Sequence, residues 1–526
     1  MIKPQSSVAP SHIEAFSLLQ PGFGGDQEPA GTEDLLVGGG DARLTLDGAG
    51  GVNRYGCSAH PDPQLADFGS STASVISTQA YAAADALRAR LDREPRQTRP
   101  QAYARELDRV RGALKSLSGL AGRPDVEVVF AASGTDMHLL VRELVGGGPA
   151  APLLCLGVEA EETGSGVPTA LSGRHFSSRA ALGESVEAGE AIGPGGGDYL
   201  AVRARKADGS LRDGHLIEAE LDALCLHAAK TGRRVLLTVT DVSKTGLISP
   251  GLDTVLALRR RFPHSLDVLV DACQFRLSAS TLNAYLDHDL MVAVTGSKFL
   301  TGPVFSGALF VPPAMAERLS GRLLRPALRP YSARAEWPEG WVAGRGLNEA
   351  ANEGLLLRWE AALAELRAFR ALPDADVEAF TARFAAAVQA RLADDPMFEP
   401  LPVRALDRRA IGAGASWDQT PTVFPFLMRQ QPREHALLLD VASAEHVFRN
   451  LMAGCIDNGS RARLGQPVLC GDRDGAPVAA LRLCNSARLI VEGVADPDAV
   501  IARAMAVLDQ AAAIAGRLCQ AGRIYN

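Results

Sequence analysis

Three short stretches hold residue types that could do chemistry together. Ser133-Gly134-Thr135-Asp136 follows the apolar run VEVVFAA (126–132) and precedes the amphipathic MHLLVRELV. Backbone N–H groups and two hydroxyls at the start of a helix make an anion site suited to a phosphate. The pattern is neither a Walker-type loop nor the GxGxxG fingerprint, which argues against a nucleoside triphosphate and a nicotinamide-dependent dehydrogenase. Asp271 ends the strand-like LDVLVD, where a carboxylate costs desolvation unless it meets a partner. Lys298, in AVTGSKFLTGP, follows another strand pattern among small residues, and a desolvated lysine suits Schiff-base chemistry. Alone, each has an ordinary reading: a packing turn, a capped or solvated acid, a surface lysine. Together they match what pyridoxal 5'-phosphate requires: an anion site, an acid against the pyridine nitrogen and a lysine to bind the aldehyde as an imine.

These residues converge only if the elements beneath them form one sheet with its carboxyl edge in common, where such folds place ligands. Apolar runs at 126–132, 151–158, 233–242 and 266–274, then DLMVAVTGSKF and GALFVP, alternate with helical patterns such as 214–230 and LDTVLALRRRF. This alternation predicts an α/β fold with a mostly parallel sheet covered by helices. Residues 61–330 are assigned to this large domain. Residues 1–60 form an N-terminal extension, read as loops around one short strand, LTL. Residues 331–526 comprise an interdomain helix, ANEGLLLRWEAALAELRAFRAL, and a smaller α+β domain with LPVRAL, TVFPFLM, PVLC, AALRLCN and helices near 434–452 and 497–516.

The ordered markers resemble the class V aminotransferase family, fold-type-I pyridoxal-phosphate enzymes that include cysteine desulfurases and kynureninases. They are Ser133-Gly134-Thr135, Ser243-Lys244-Thr245-Gly246 followed by Pro250, DACQ at 271–274, Lys298, Gly302-Pro303, the GLNEAANEGLLLRWEAAL segment and Ala480-Leu481-Arg482-Leu483-Cys484. The resemblance covers roughly 125–500. It implies that Asp271 pairs with the pyridinium nitrogen, Gln274 approaches the phenolic oxygen, and Thr295 and Ser297 lie near the phosphate. It further implies that Lys298 carries the cofactor and that Arg482 clamps a substrate carboxylate. The expected activity is that of a transferase on a small amino acid, an aminotransferase first, with a 2-oxoacid or other carbonyl acceptor. A lyase or a decarboxylative, carbon–carbon bond-forming enzyme uses the same residues, and a non-catalytic homologue is a further alternative. A homodimer is implied as well.

Departures from the family pattern matter. The ring-stacking histidine has no counterpart in Glu159–Gly166, and His175 is the substitute considered. Gly344-Arg345-Gly346 replaces the usual small-Thr segment, and Arg345 is a candidate to reach across a dimer. Arg54, Tyr55 and His60 are candidate substrate-side groups, and an Arg54 contact would suggest a second acidic group on the substrate. No cysteine lies between Cys273 and Cys455, so a desulfurase with a mobile-loop nucleophile is disfavoured, and Cys455 reads as a helix end. Eight scattered cysteines without a CxxC, and ten histidines without paired ligand spacing, assign no disulfide framework and no metal. A net charge of −7 argues against a general nucleic-acid binder. No 18-residue apolar run and no signal-peptide pattern were found, so a cytoplasmic enzyme without membrane contact is expected. The glycine run at 193–197 has no lysine directly after it and reads as a loop.

Overall fold

The computed structural model describes residues 30–48, 51–146, 152–193, 197–433, 436–455, 460–473 and 475–524. The first 29 residues and glycines 195–196 lie outside them, as does the start of the helix expected near 434.

In chain order the strands are β1 (Ala66–Asp67), β2 (Glu127–Ala131), β3 (Leu153–Gly157), β4 (Asp198–Ala201), β5 (Arg234–Asp241), β6 (Ile248–Ser249), β7 (Leu266–Ala272), β8 (Met291–Thr295), β9 (Gly307–Val311), β10 (Phe398–Pro400), β11 (Val423–Met428), β12 (Ala462–Arg463), β13 (Gly465–Arg473) and β14 (Ala476–Cys484). Every residue of β3, β7, β8 and β9 is buried, as expected of strands covered on both faces. The large sheet runs β2-β9-β8-β7-β5-β3-β4, with β6 on the end of β5. Its ladders are parallel except at β9, antiparallel to both neighbours, and at β6. The expectation of a mostly parallel α/β sheet holds. β2, β7 and β8 all deliver their carboxyl ends to one edge, which brings together the segments that follow them: 132–136, 273–274 and 296–298.

Four helices lie early in the chain: α1 (Thr32–Val37), α2 (Thr78–Leu91), α3 (Arg99–Leu117) and α4 (Gly134–Val145). The long helix Glu353–Arg370 is buried on nearly all sides, which its mixed composition permits only because its charged groups find partners. Arg358, fully buried, donates to the carbonyls of Leu36 (3.1 Å) and Gly39 (2.7 Å), tying the N-terminal segment to this helix. The smaller sheet, β10-β11-β14-β13, is antiparallel.

Two expectations are corrected. LTL is not a strand: Ala42–Leu44 is a short 3-10 turn, because the Asp41 carboxylate accepts the Arg43 N–H (2.9 Å) and caps it. One stretch, Pro497–Leu518, does have the length and mean hydropathy of a membrane-crossing helix. One face of it, including Val500, Ala504, Val507, Leu508, Ala511 and Ile514, is buried in the protein core.

Candidate active site

Ser133 is the N-cap of α4, with extended backbone (φ −147°) and a side chain that accepts the Asp136 N–H at 3.2 Å. The helix therefore begins at the sheet edge with its N-terminal dipole facing outward. Gly134 is required by close approach: a Cβ there would lie 2.8 Å from Cys273 Sγ and 3.2 Å from Thr295 Cγ2. The Asp136 carboxylate is buried and pushed up to about 7, by burial first and the nearby Asp41 charge second, against a hydrogen bond from Ser133 Oγ.

At the end of β7, Asp271 is 5% exposed and accepts from Thr163 Oγ1 (3.0 Å) and from the Cys273 N–H (3.2 Å). Burial alone would raise its pKa, but His138 and Lys298 hold it well below the usual carboxylate range. His138 lies one turn into α4, with Nδ1 2.7 Å from the Gly134 carbonyl and Nε2 3.5 Å from Asp271 Oδ2. Burial opposes the imidazolium, yet the Asp271 charge raises its pKa on balance.

Lys298 follows β8, and its amine has no hydrogen-bond or ion-pair partner among the described residues. It lines a cavity of about 270 Å³ shared with Ser133, Thr135, Asp271, Thr295 and Ser297. Thr295 Oγ1 donates to the Cys273 carbonyl at 2.6 Å, which joins the ends of β7 and β8. Arg482 reaches the same cavity from β14. It is 1% exposed and donates to Ser71 Oγ (3.3 Å), Thr72 Oγ1 (2.9 Å) and the Gln466 carbonyl, with no carboxylate in ion-pair range among the described residues. Gly465 permits this placement, since a Cβ there would sit 2.9 Å from Arg482 Nε. A buried guanidinium bonded only to neutral oxygens is prepared for an incoming anion.

Not every expected residue arrives. Gln274 is buried, but its amide donates to the Ser71 carbonyl at 3.0 Å and its side chain does not line the cavity. His175 is also away: its Nδ1 lies 2.5 Å from the Tyr331 hydroxyl and its ring stacks on Tyr331 at 5.8 Å. Gly164, Ser165 and Val167 line that wall, with no aromatic side chain from 159–167. Arg54 and Tyr55 stand at the mouth, whereas His60 is exposed beside Glu33 and Tyr81. Arg345 is exposed in a separate groove with Trp337 and Trp341, and Cys455 is exposed just past the helix Val441–Ala453.

Three groups at the site escaped the sequence reading. Arg43, on the N-terminal segment, is held by Asp41 (Nη2–Oδ2 2.6 Å) and sits 4.4 Å from the Phe305 ring centre. Its guanidinium points at the phosphate-loop hydroxyls, 3.4 Å from both Thr135 Oγ1 and Ser133 Oγ. No local pattern announces it. His138 was detectable in principle, because it falls one helical turn after Gly134. Lys244 stands within the SKTG segment already singled out. It lines the cavity, donates to the Ala160 carbonyl at 2.9 Å, and is pushed down to about 8 by burial and by repulsion from Arg482 and Lys298.

Two larger grooves, of about 410 and 630 Å³, lie elsewhere and combine no lysine with a buried acid. The 270 Å³ cavity fits pyridoxal phosphate on four observations: a lysine amine with no hydrogen bond among the described residues, a buried carboxylate beside His138, a glycine cradle that a Cβ would fill, and hydroxyl and guanidinium donors at a helix start.

No family model matches the chain, and no curated protein matches it. Solved structures do. A lysine-to-alanine variant of C-DES with glycine covalently linked to its pyridoxal-phosphate cofactor is 16% identical, covering 86% of this chain and 99% of its own, at a TM-score of 0.53. The cystine C–S lyase C-DES with its product cysteine persulfide is 16% identical, covering 82% and 97%, at 0.50. A NifS-like protein is 12% identical, covering 85% and 99%, at 0.51. At such identities the likeness is one of architecture. The chain has the fold of these proteins, that of fold-type-I pyridoxal-phosphate enzymes.

Proposed function

We propose that this protein is a pyridoxal-phosphate-dependent enzyme acting on a small amino acid, with transamination as the first reading. The observation that carries it is that one cavity holds both the Lys298 amine, without a hydrogen bond among the described residues, and the buried Asp271 carboxylate. A fold needs neither group there, and leaving a carboxylate so buried is costly without a cationic partner.

Ser133, Thr135, the α4 N-terminus and Arg43 would hold the cofactor phosphate. Asp271, oriented by Thr163 and the Cys273 N–H and backed by His138, would accept the hydrogen bond of the protonated ring nitrogen. When bound, the cofactor supplies an electron sink for the bond broken at the substrate Cα. Arg482 would bind the α-carboxylate and so orient the substrate Cα in the cavity. Lys298 Nζ takes the Cα proton and returns it to carbon.

Elimination is the second reading, favoured by the likeness to C-DES, itself described as a cystine C–S lyase. The same lysine then hands its proton to a leaving group on Cβ. A desulfurase relay through a mobile cysteine finds no support, since the only cysteine lining the cavity is Cys273, buried and with its thiol pushed well up by burial. A homodimer completes this reading.

The test is an absorption spectrum of the purified protein after adding pyridoxal phosphate, repeated on Lys298→Ala. A yellow chromophore that the substitution abolishes is the expected result. Its bleaching by an amino acid and return with a 2-oxoacid selects transamination, whereas release of a β-product selects elimination. No chromophore in either protein overturns the assignment.

A further inference from the structure

Arg54, Lys244 and Arg482 line the cavity, more cationic side chains than one α-carboxylate requires. Arg482 donates to the Gln466 carbonyl, and Gln466 Nε2 donates to the Arg54 main-chain carbonyl at 2.9 Å, so the Arg54 main chain and the Arg482 guanidinium meet the same residue of the cavity wall. Lys244 enters the same cavity close enough for its ammonium to be repelled by Arg482. Its one hydrogen-bond acceptor is the Ala160 carbonyl. The Arg54 guanidinium is exposed at the mouth, 5.8 Å from the Tyr55 ring centre. None of the three has a carboxylate in ion-pair range among the described residues; the Glu162 and Glu161 charges act on Lys244 only from farther away, and among the described residues that line the cavity the one carboxylate is Asp271.

Taking an ammonium out of water without an acid in ion-pair range carries the desolvation penalty of a buried ion. Several cations avoid that cost through a carboxylate: Arg43 has Asp41, Arg205 has Glu162, Arg408 has Asp241 and Arg463 has Asp67. Buried Arg276 and Arg358 instead spend their guanidinium groups on neutral oxygens away from the cavity, whereas Lys244 and Arg482 lack a carboxylate in ion-pair range while both lining the cavity. One substrate carboxylate on Arg482 leaves Lys244 and Arg54 still unanswered.

We propose that Lys244 and Arg54 form a second anion subsite beside Arg482, so that the substrate is an amino acid bearing a second acidic group. This rests on the pyridoxal-phosphate reading above. The subsite selects the substrate by charge: a neutral side chain would leave the Lys244 ammonium desolvated and unpaired.

The test uses non-reacting acids on the cofactor-loaded protein. Succinate, a dicarboxylate, and butyrate, a monocarboxylate of the same chain length, are titrated calorimetrically at constant ionic strength. Succinate is expected to bind at least about tenfold more tightly. Lys244→Met and Arg54→Ala should each cut that ratio toward one, while Arg482→Ala weakens both acids. Arg54 is exposed, so its variant keeps the test open if Lys244→Met fails to fold. Equal affinities in the unmodified loaded protein overturn the subsite, as does a ratio that survives both substitutions. If Lys244→Met alters only the cofactor spectrum and leaves the ratio intact, Lys244 serves the cofactor and the proposal fails. A protein that takes up no cofactor through Lys298 sinks the underlying reading instead, and the proposal with it.

Discussion

Replacing Arg43 separates a structural ion pair from a phosphate ligand, because one guanidinium is asked to be both. In the structure, Arg43 spends Nε and Nη2 on Asp41, at 2.9 and 2.6 Å, while its contacts to Ser133 and Thr135 are at 3.4 Å, the weak limit of a hydrogen bond. The phosphate-facing donors are thus positioned and only weakly engaged by the two hydroxyls. Asp41 is 1% exposed. Arg43→Ala therefore strands a buried carboxylate, which costs roughly 3–5 kcal/mol of stability. It also removes one or two charge-assisted donors to a phosphate, each worth about 1.5–3 kcal/mol. One such donor corresponds to a roughly ten- to hundredfold weaker cofactor affinity.

The second perturbation is Arg43→Ala with Asp41→Asn. Asparagine still accepts the Arg43 backbone N–H that caps the turn, but carries no charge. Urea unfolding of the apo-protein should show most of the lost stability restored in the double variant. Titration of the same apo-proteins with pyridoxal phosphate, read by absorbance, should show the affinity loss persisting. Affinity that returns together with stability would mean that Arg43 only neutralises Asp41, and would refute its role at the phosphate.

Two further outcomes are expected. Gly134→Ala should destabilise by roughly 1–3 kcal/mol through overpacking against Cys273 Sγ, and adding Cys273→Ala should recover much of that in urea midpoints. Glu336 is fully buried and burial raises its carboxyl to about 7, despite bonds from Ser332 Oγ (2.7 Å) and the Ala333 N–H (3.0 Å). Between its ordinary value of 4.5 and about 7 the folded protein binds more protons than the unfolded one, so stability falls as pH rises through that window. Glu336→Gln should flatten this dependence, by up to about 3 kcal/mol between pH 4.5 and 7.5, in unfolding curves at the two values.

The central sheet, the carboxyl-edge placement of Asp271 and Lys298, and the helix that opens at Ser133 were all legible in the linear sequence. The reason is local: continuous apolar runs define buried strands, and the residue that follows a parallel strand necessarily emerges at the carboxyl edge. Side-chain direction in the loops was not legible. Gln274 turns to the Ser71 carbonyl across 203 positions of chain, and His175 to Tyr331 across 156. The guanidinium of Arg43 meets Ser133 and Thr135 from 90 and 92 positions away, and it does so because buried Arg358 anchors the segment at Leu36 and Gly39. Lys244 was visible only as part of a segment that resembles a family motif, and its burial beside Arg482 arises only because β14 of the smaller sheet brings Arg482 to the same cavity. Periodicity and motif spacing decided which backbone stands at the sheet edge. Tertiary packing decided which charges are buried there without a partner, because the cost of burying a charge depends on neighbours that the linear sequence does not place.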